Sequence, residues 1–190
     1  MDATGESGPV VHSAVEASLY LLVTPCPNCG RGPVRANAGD AVPSLDGVPR
    51  GFRLPGTCAA CRATWNAKFR LADDSPISTS ALAEWDVPIN STPAPSSAID
   101  VAQWITLCRM LITDADACQD RVRGRRLKVL AGRGVEEALK FFDDPDSDLP
   151  PEKAFFHEET RRIYRANPHE LARDRLLGLR ARLPSPIRER

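Results

Sequence analysis

Four of the six cysteines stand in two C-x-x-C pairs, Cys26 with Cys29 and Cys58 with Cys61. No other feature constrains the fold as much. A C-x-x-C turn offers two sulfurs from one backbone knuckle, and a tetrahedral metal site needs two such knuckles brought face to face. Zn²⁺ suits four soft thiolates that leave no open coordination position. Cys26, Cys29, Cys58 and Cys61 are therefore expected to bind one structural zinc ion. Pro27 stiffens the first turn, Gly30 permits the positive φ that such a knuckle needs, and Trp65 is placed to cover one face of the site. Arg31, Arg35 and Arg62 are near enough in sequence to offset the double negative charge of four thiolates around one Zn²⁺.

The segments CPNCG and CAACRATW resemble the knuckles of the zinc-ribbon superfamily, over about 50 of the 190 residues. The resemblance implies a metal and a small antiparallel sheet, and no particular activity. It departs from the usual spacing of roughly 15–20 residues between knuckles, because 28 residues separate Cys29 from Cys58. The surplus falls in the Gly/Pro-rich stretch GPVRANAGDAVPSLDGVPRG, so an enlarged loop accounts for it. A rubredoxin-like iron site is the nearest alternative, but Arg62 stands where such proteins usually place glycine. A thioredoxin-type redox pair would need a helix starting at Cys29, and Gly30, Arg31, Gly32 and Pro33 carry no helix signal. Of the remaining two, Cys118 stands apart and Cys108 lies on an apolar helical stripe, where a buried thiol is expected.

The rest of the chain predicts an α+β protein: a small antiparallel zinc ribbon followed by a bundle of about four helices. Residues 1–14 read as a tail, 15–72 as the ribbon, 73–97 as a Pro/Ser-rich linker, 98–184 as the bundle and 185–190 as a second tail. Within the ribbon, Ser18–Thr24 is read as a strand delivering the first knuckle, with a short helix as the competing reading. Val34–Asn37 and Gly51–Thr57 are further strands. Trp65, Ala67 and Phe69 alternate with Thr64, Asn66, Lys68 and Arg70, the period of a half-buried strand. One helical turn, Ser80–Trp85, is expected in the linker, with Trp85 pinning it.

From Ile99 the period changes to about 3.6. Val101, Trp104, Ile105, Cys108, Leu111 and Ile112 mark a first helix capped by Asp100 or Ser97. A second is expected over about 117–142, with Gly132 and Gly134 forcing a kink or a close crossing. A third starts near Pro151 and runs through Phe155, Phe156, Ile163 and Tyr164. Asn167, Pro168 and Glu170 signal the start of a fourth, striped by Ala172, Leu176, Leu179 and Leu183 and stopped by Pro184.

Basic and acidic side chains balance at 25 each, without the excess usual for a dedicated nucleic-acid binder. The N-terminus MDATGESGPV lacks the basic start and apolar stretch of a secretory signal, and Leu19–Val23 is too short to span a bilayer. A soluble cytoplasmic protein without membrane contact is expected, with its cysteines reduced or metal-bound.

No catalytic residues are expected. HEETR at His157 begins like H-E-x-x-H but carries Arg161 at the fifth position, and no phosphate-binding or nucleophile-elbow motif occurs. The acids from Asp143 to Asp148 read as a solvated turn. The basic run from Arg121 to Arg133 places Arg121, Arg125, Arg126 and Lys128 as the candidate nucleic-acid contacts, although flanking acids are available to pair with them. The leading expectation is a non-enzymatic zinc-binding interaction protein with a protein partner. The alternative is a DNA- or RNA-binding accessory factor using the ribbon hairpin and the basic segment 121–133.

Overall fold

A computed structural model describes residues 8–37, 42–43, 50–73, 88–144 and 146–185. The expected turn at Ser80–Trp85 lies outside the described residues, as do most of the linker and the outer parts of both tails. The chain divides into two compact units, residues 1–92 with 96–98, and residues 93–95 with 99–190. Together they are mixed α and β.

In the first unit, helix α1 (Ala14–Val23) is followed by strands β2 (Val34–Ala36), β3 (Val42–Pro43), β4 (Gly51–Cys58) and β5 (Thr64–Leu71); a short strand β1 (Val10–Val11) precedes the helix. The sheet runs β1-β5-β4-β2, with β3 also on β4; β1 is parallel to β5 and the other pairings are antiparallel. Val10 and Val11 thus lie in the stretch read as tail, yet pair with Arg70 and Leu71.

The strand expected over Ser18–Thr24 is corrected to helix. Its apolar run fits either period over so short a length, and its start settles the matter. Ser13 caps α1 by accepting from the Glu16 N–H (3.0 Å), and Glu16 reaches back to accept from the His12 N–H. This Ser-x-x-Glu start is close to a capping box. The helix ends at Thr24 because the residue before Pro25 is driven to extended backbone (φ −96°, ψ 133°). Its inner side packs on the sheet. The Tyr20 ring meets Phe69 edge-on at 5.7 Å, and Phe69 stacks on Phe52 across the β4–β5 pair at 5.5 Å. Strand β4 alternates strictly between half-buried and buried positions, and β5 buries Phe69 and Leu71 on the expected face.

In the second unit, α2 (Val101–Ala117) and α3 (Arg121–Leu139) form an antiparallel helical hairpin, followed by α4 (Glu158–Ala166) and α5 (Arg173–Ala181). Asp100 and Gln103 close a full capping box on α2. Val101, Trp104, Ile105, Cys108 and Leu111 are buried as their spacing predicts. A Cβ on Gly134 would lie 2.9 Å from the Cys108 sulfur and 3.6 Å from the Trp104 ring. The expected close crossing is therefore what Gly134 provides, and α3 runs unbroken through it.

The second unit has four α-helices among the described residues, of unequal length. Among the described residues, two long helices are joined by two short ones of nine residues each, and α4 buries none of its own side chains. The third expected helix breaks after a 3-10 turn at Glu152–Ala154. Phe155 is extended and fully buried, stacked on Tyr164 at 4.3 Å, while the Phe156 N–H donates to the Asp100 carboxylate (3.1 Å). That carboxylate takes the amide a continuous helix would have used. Likewise, Asn167 makes no side-chain cap bond, and Pro168–Leu171 is a 3-10 turn ended by extended Ala172. Leu171 and Leu176, on either side of that break, are both buried. No helix of the described residues is long and apolar enough to cross a membrane.

Candidate metal centre

Cys26 and Cys29 follow the end of α1, while Cys58 is the last residue of β4 and Cys61 lies in the turn between β4 and β5. The two segments repeat one backbone design. The Cys26 carbonyl accepts from the Gly30 N–H (2.8 Å), and the Cys58 carbonyl accepts from the Arg62 N–H (3.0 Å). The Cys26 N–H donates to the Arg31 carbonyl (2.5 Å), and the Cys58 N–H to the Ala63 carbonyl (2.9 Å). Gly30 and Arg62 hold equivalent left-handed conformations, φ 67° and 62°. The glycine was legible from its type. Arg62 was not legible from its type, and only its place after the second cysteine, matching Gly30, pointed to it.

The Ala59 N–H donates to the Pro33 carbonyl (2.9 Å), joining the tip of one knuckle to the exit of the other. Strand β2 then pairs with the end of β4, with Val34 opposite Cys58. These bonds bring all four sulfurs within 4.8 Å of one another. The cross-knuckle separations are 3.7 Å for Cys26–Cys61 and 3.9 Å for Cys29–Cys58. A tetrahedron of sulfurs about 2.3 Å from a central ion has edges of about 3.8 Å. The donor set therefore fits one tetrahedral ion. All four thiols are free, Cys26 and Cys58 buried and Cys29 and Cys61 half-buried.

Polar hydrogens surround the sulfurs. The Ala60 N–H donates to Cys58 Sγ (3.3 Å), and Asn28 Nδ2 reaches across to Cys61 Sγ (3.6 Å). Sequence reasoning missed Asn28; an amide side chain inside a C-x-x-C turn was the available hint. Without metal the thiols are unequal. Desolvation pushes Cys26 up to about 11 against the pull of the Cys29 and Asn28 amides. The Ala63 amide, helped by Asn28, pulls Cys61 down to about 6. Cys61 is thus ready to meet a cation as thiolate, and the donor amides stabilise negative charge on sulfur.

Arg31, Arg35 and Arg62 are exposed. Trp65 is half-buried on β5 opposite Gly56. Cys108 is fully buried, donates to the Ala131 carbonyl (3.2 Å), and is pushed by burial up to about 12. Cys118 is half-buried at the end of α2. His157 and His169 are exposed. Arg121, Arg125 and Arg126 are exposed on the first turns of α3. Lys128 pairs with Asp116 at 2.7 Å, the one ion pair made by these four residues among the described residues.

Compared with known proteins, the chain matches no family model, no curated protein and no solved structure.

Proposed function

We propose that Cys26, Cys29, Cys58 and Cys61 hold one Zn²⁺ in a closed, structural Zn(Cys)4 site, and that the first unit is a variant of the zinc ribbon. The observation that carries this is the duplication of the knuckle: the same two backbone hydrogen bonds and a left-handed residue at the same position in CPNCG and CAACR, with two sulfur pairs across the knuckles near the edge length of a tetrahedral site and all four sulfurs within 4.8 Å. Soft thiolates in that geometry select zinc or iron over hard cations. Helix α1 and the parallel strand β1 are additions to the ribbon pattern.

Four protein ligands fill a tetrahedral ion, so bound zinc offers no position for substrate or water. Its contribution is folding energy, supplied to a unit whose β3 and β1 have two residues each and whose knuckles are loops. The protein is accordingly proposed to act as a non-enzymatic interaction protein, with partners meeting surfaces away from the metal.

Elemental analysis of the purified chain tests the metal reading, with one zinc per chain expected. Chelation should abolish the folded signature of the first unit while the helical signal of the second persists. A metal-free protein that keeps its fold would refute the structural site. The red absorption of a ferric thiolate centre would replace zinc by iron.

A further inference from the structure

We infer that the first two turns of α3 bind duplex DNA, with Arg121, Arg123, Arg125 and Arg126 contacting the phosphates that flank a groove. This gives the proposed interaction protein a partner class and rests on that reading; it does not depend on the metal, because α3 belongs to the other unit.

The observation is a contrast in how arginines are used. Elsewhere in this unit they are largely paired: Arg109 and Arg175 with Glu170, Arg161 with Glu158, Arg165 with Glu152 and Glu158, Arg180 with Glu136. Arg121, Arg123, Arg125 and Arg126 are all exposed, and none has a side-chain partner among the described residues. Lys128, one turn further on, does pair with a flanking acid, Asp116, as the sequence allows.

The location makes the cluster costly. α3 has no acidic residue in its first turn, so Arg121 and Arg123 sit against the positive end of the helix dipole, with Arg125 and Arg126 one turn further in. The free amides there are not an anion site, since the Asp120 carboxylate already accepts from the Val122 and Arg123 N–H groups (2.9 and 3.2 Å). What remains for a ligand is the guanidinium array.

Its shape favours a groove over a flat acidic surface. At about 100° per residue, Arg121 and Arg125 flank Val122 by about 100° and 60° on one side, and Arg126 and Arg123 by about 40° and 100° on the other. Val122, at 62% the most exposed of the exposed large hydrophobic residues, forms the ridge between them. Gly124 faces the opposite way, where a Cβ would lie 3.1 Å from the Ala115 carbonyl on α2. A helix end with cations on both flanks and an apolar ridge complements two phosphate walls about 12 Å apart, the width of the B-form major groove. The guanidinium fork matches phosphate geometry. The deep, narrow major groove of A-form RNA would not admit it.

The test is anisotropy of a short fluorescent DNA duplex titrated with the zinc-loaded full chain. With four phosphate contacts, log K should fall against log salt with a slope of about −3.6, a loss of roughly 100-fold between 50 and 200 mM. Arg125→Gln with Arg126→Gln should cut that slope to about −1.8. Arg125→Glu with Arg126→Glu should abolish binding while leaving the thermal midpoint within a few degrees of wild type, because both side chains are exposed and have no partner among the described residues; a folding defect would instead lower it. Arg125→Lys with Arg126→Lys should keep the slope. Absent binding, a slope unchanged by the glutamine pair, or tighter binding to single strands or duplex RNA would overturn the inference. Competition by polyglutamate as strong as by duplex would also overturn it and assign the patch to an acidic protein. Zinc content, measured on the same samples, separates these failures from failure of the metal reading.

Discussion

The paired left-handed residues of the two knuckles allow a prediction of opposite sign at equivalent positions. Gly30 and Arg62 share a φ near 65°, each directly after the second cysteine of its pair. For an L-residue that conformation costs roughly 1–2 kcal/mol, while glycine carries about 0.4–1 kcal/mol more unfolded-state entropy. The net preference for glycine is then about 1 kcal/mol. At Gly30 nothing lies within 4 Å of an added Cβ, so Gly30→Ala reads backbone strain alone. At Arg62 the side chain is exposed and makes no hydrogen bond among the described residues. On the proposal that bound zinc supplies the folding energy of the knuckles, the difference should appear in zinc affinity, where about 1 kcal/mol is roughly fivefold. Gly30→Ala should weaken zinc binding about fivefold in a chelator competition. Arg62→Gly should bind about fivefold tighter than Arg62→Ala, a comparison that cancels the lost charge. Shifts of the same sign at both positions, or Arg62→Gly no tighter than Arg62→Ala, would refute the argument.

Gly134→Ala should destabilise the helical unit by about 1–2 kcal/mol in urea, because its Cβ would press on Cys108 Sγ at 2.9 Å. Gly178→Ala, where nothing lies within 4 Å, should stabilise α5 by up to about 1 kcal/mol; a cost there would show that α5 is packed differently. Asp100→Ala removes the acceptor for Gln103 N–H, Phe156 N–H and Thr160 Oγ1, and should cost about 3 kcal/mol, with α4 losing amide protection first. Burial raises Cys108 from 9.0 to about 12. Because the folded value lies above the unfolded one, its contribution is fully present below pH 9 and is lost as pH rises toward 12, by up to about 1.4 kcal/mol per unit. Stability of the wild type minus that of Cys108→Ala should fall over that window, and a flat difference would contradict the assignment.

The metal centre was the most legible part of the chain, since two C-x-x-C pairs restrict the local chemistry whatever surrounds them. The alternation in β5 and the stripe of α2 were equally legible, each long enough for its period to show. Ser18–Thr24 was not, because five consecutive apolar residues satisfy both periods; the deciding signal, Ser13 with Glu16, lay upstream of the run. The start signal at Asn167 and Pro168 produced only a 3-10 turn, as Leu171 and Leu176 are both buried across the break at Ala172.

The sequence by itself determined which residues could hold a metal, where the two β-rich and helical parts divide in character, and which helices have a buried stripe. Those properties depend on neighbours within one turn or one strand. Tertiary structure alone decided that Asp100 would interrupt the third helix by taking the Phe156 amide, and that the arginines opening α3 would find no side-chain partner among the described residues. Each of these depends on groups far apart in sequence, or on the absence of a partner at a particular place, and periodicity records neither.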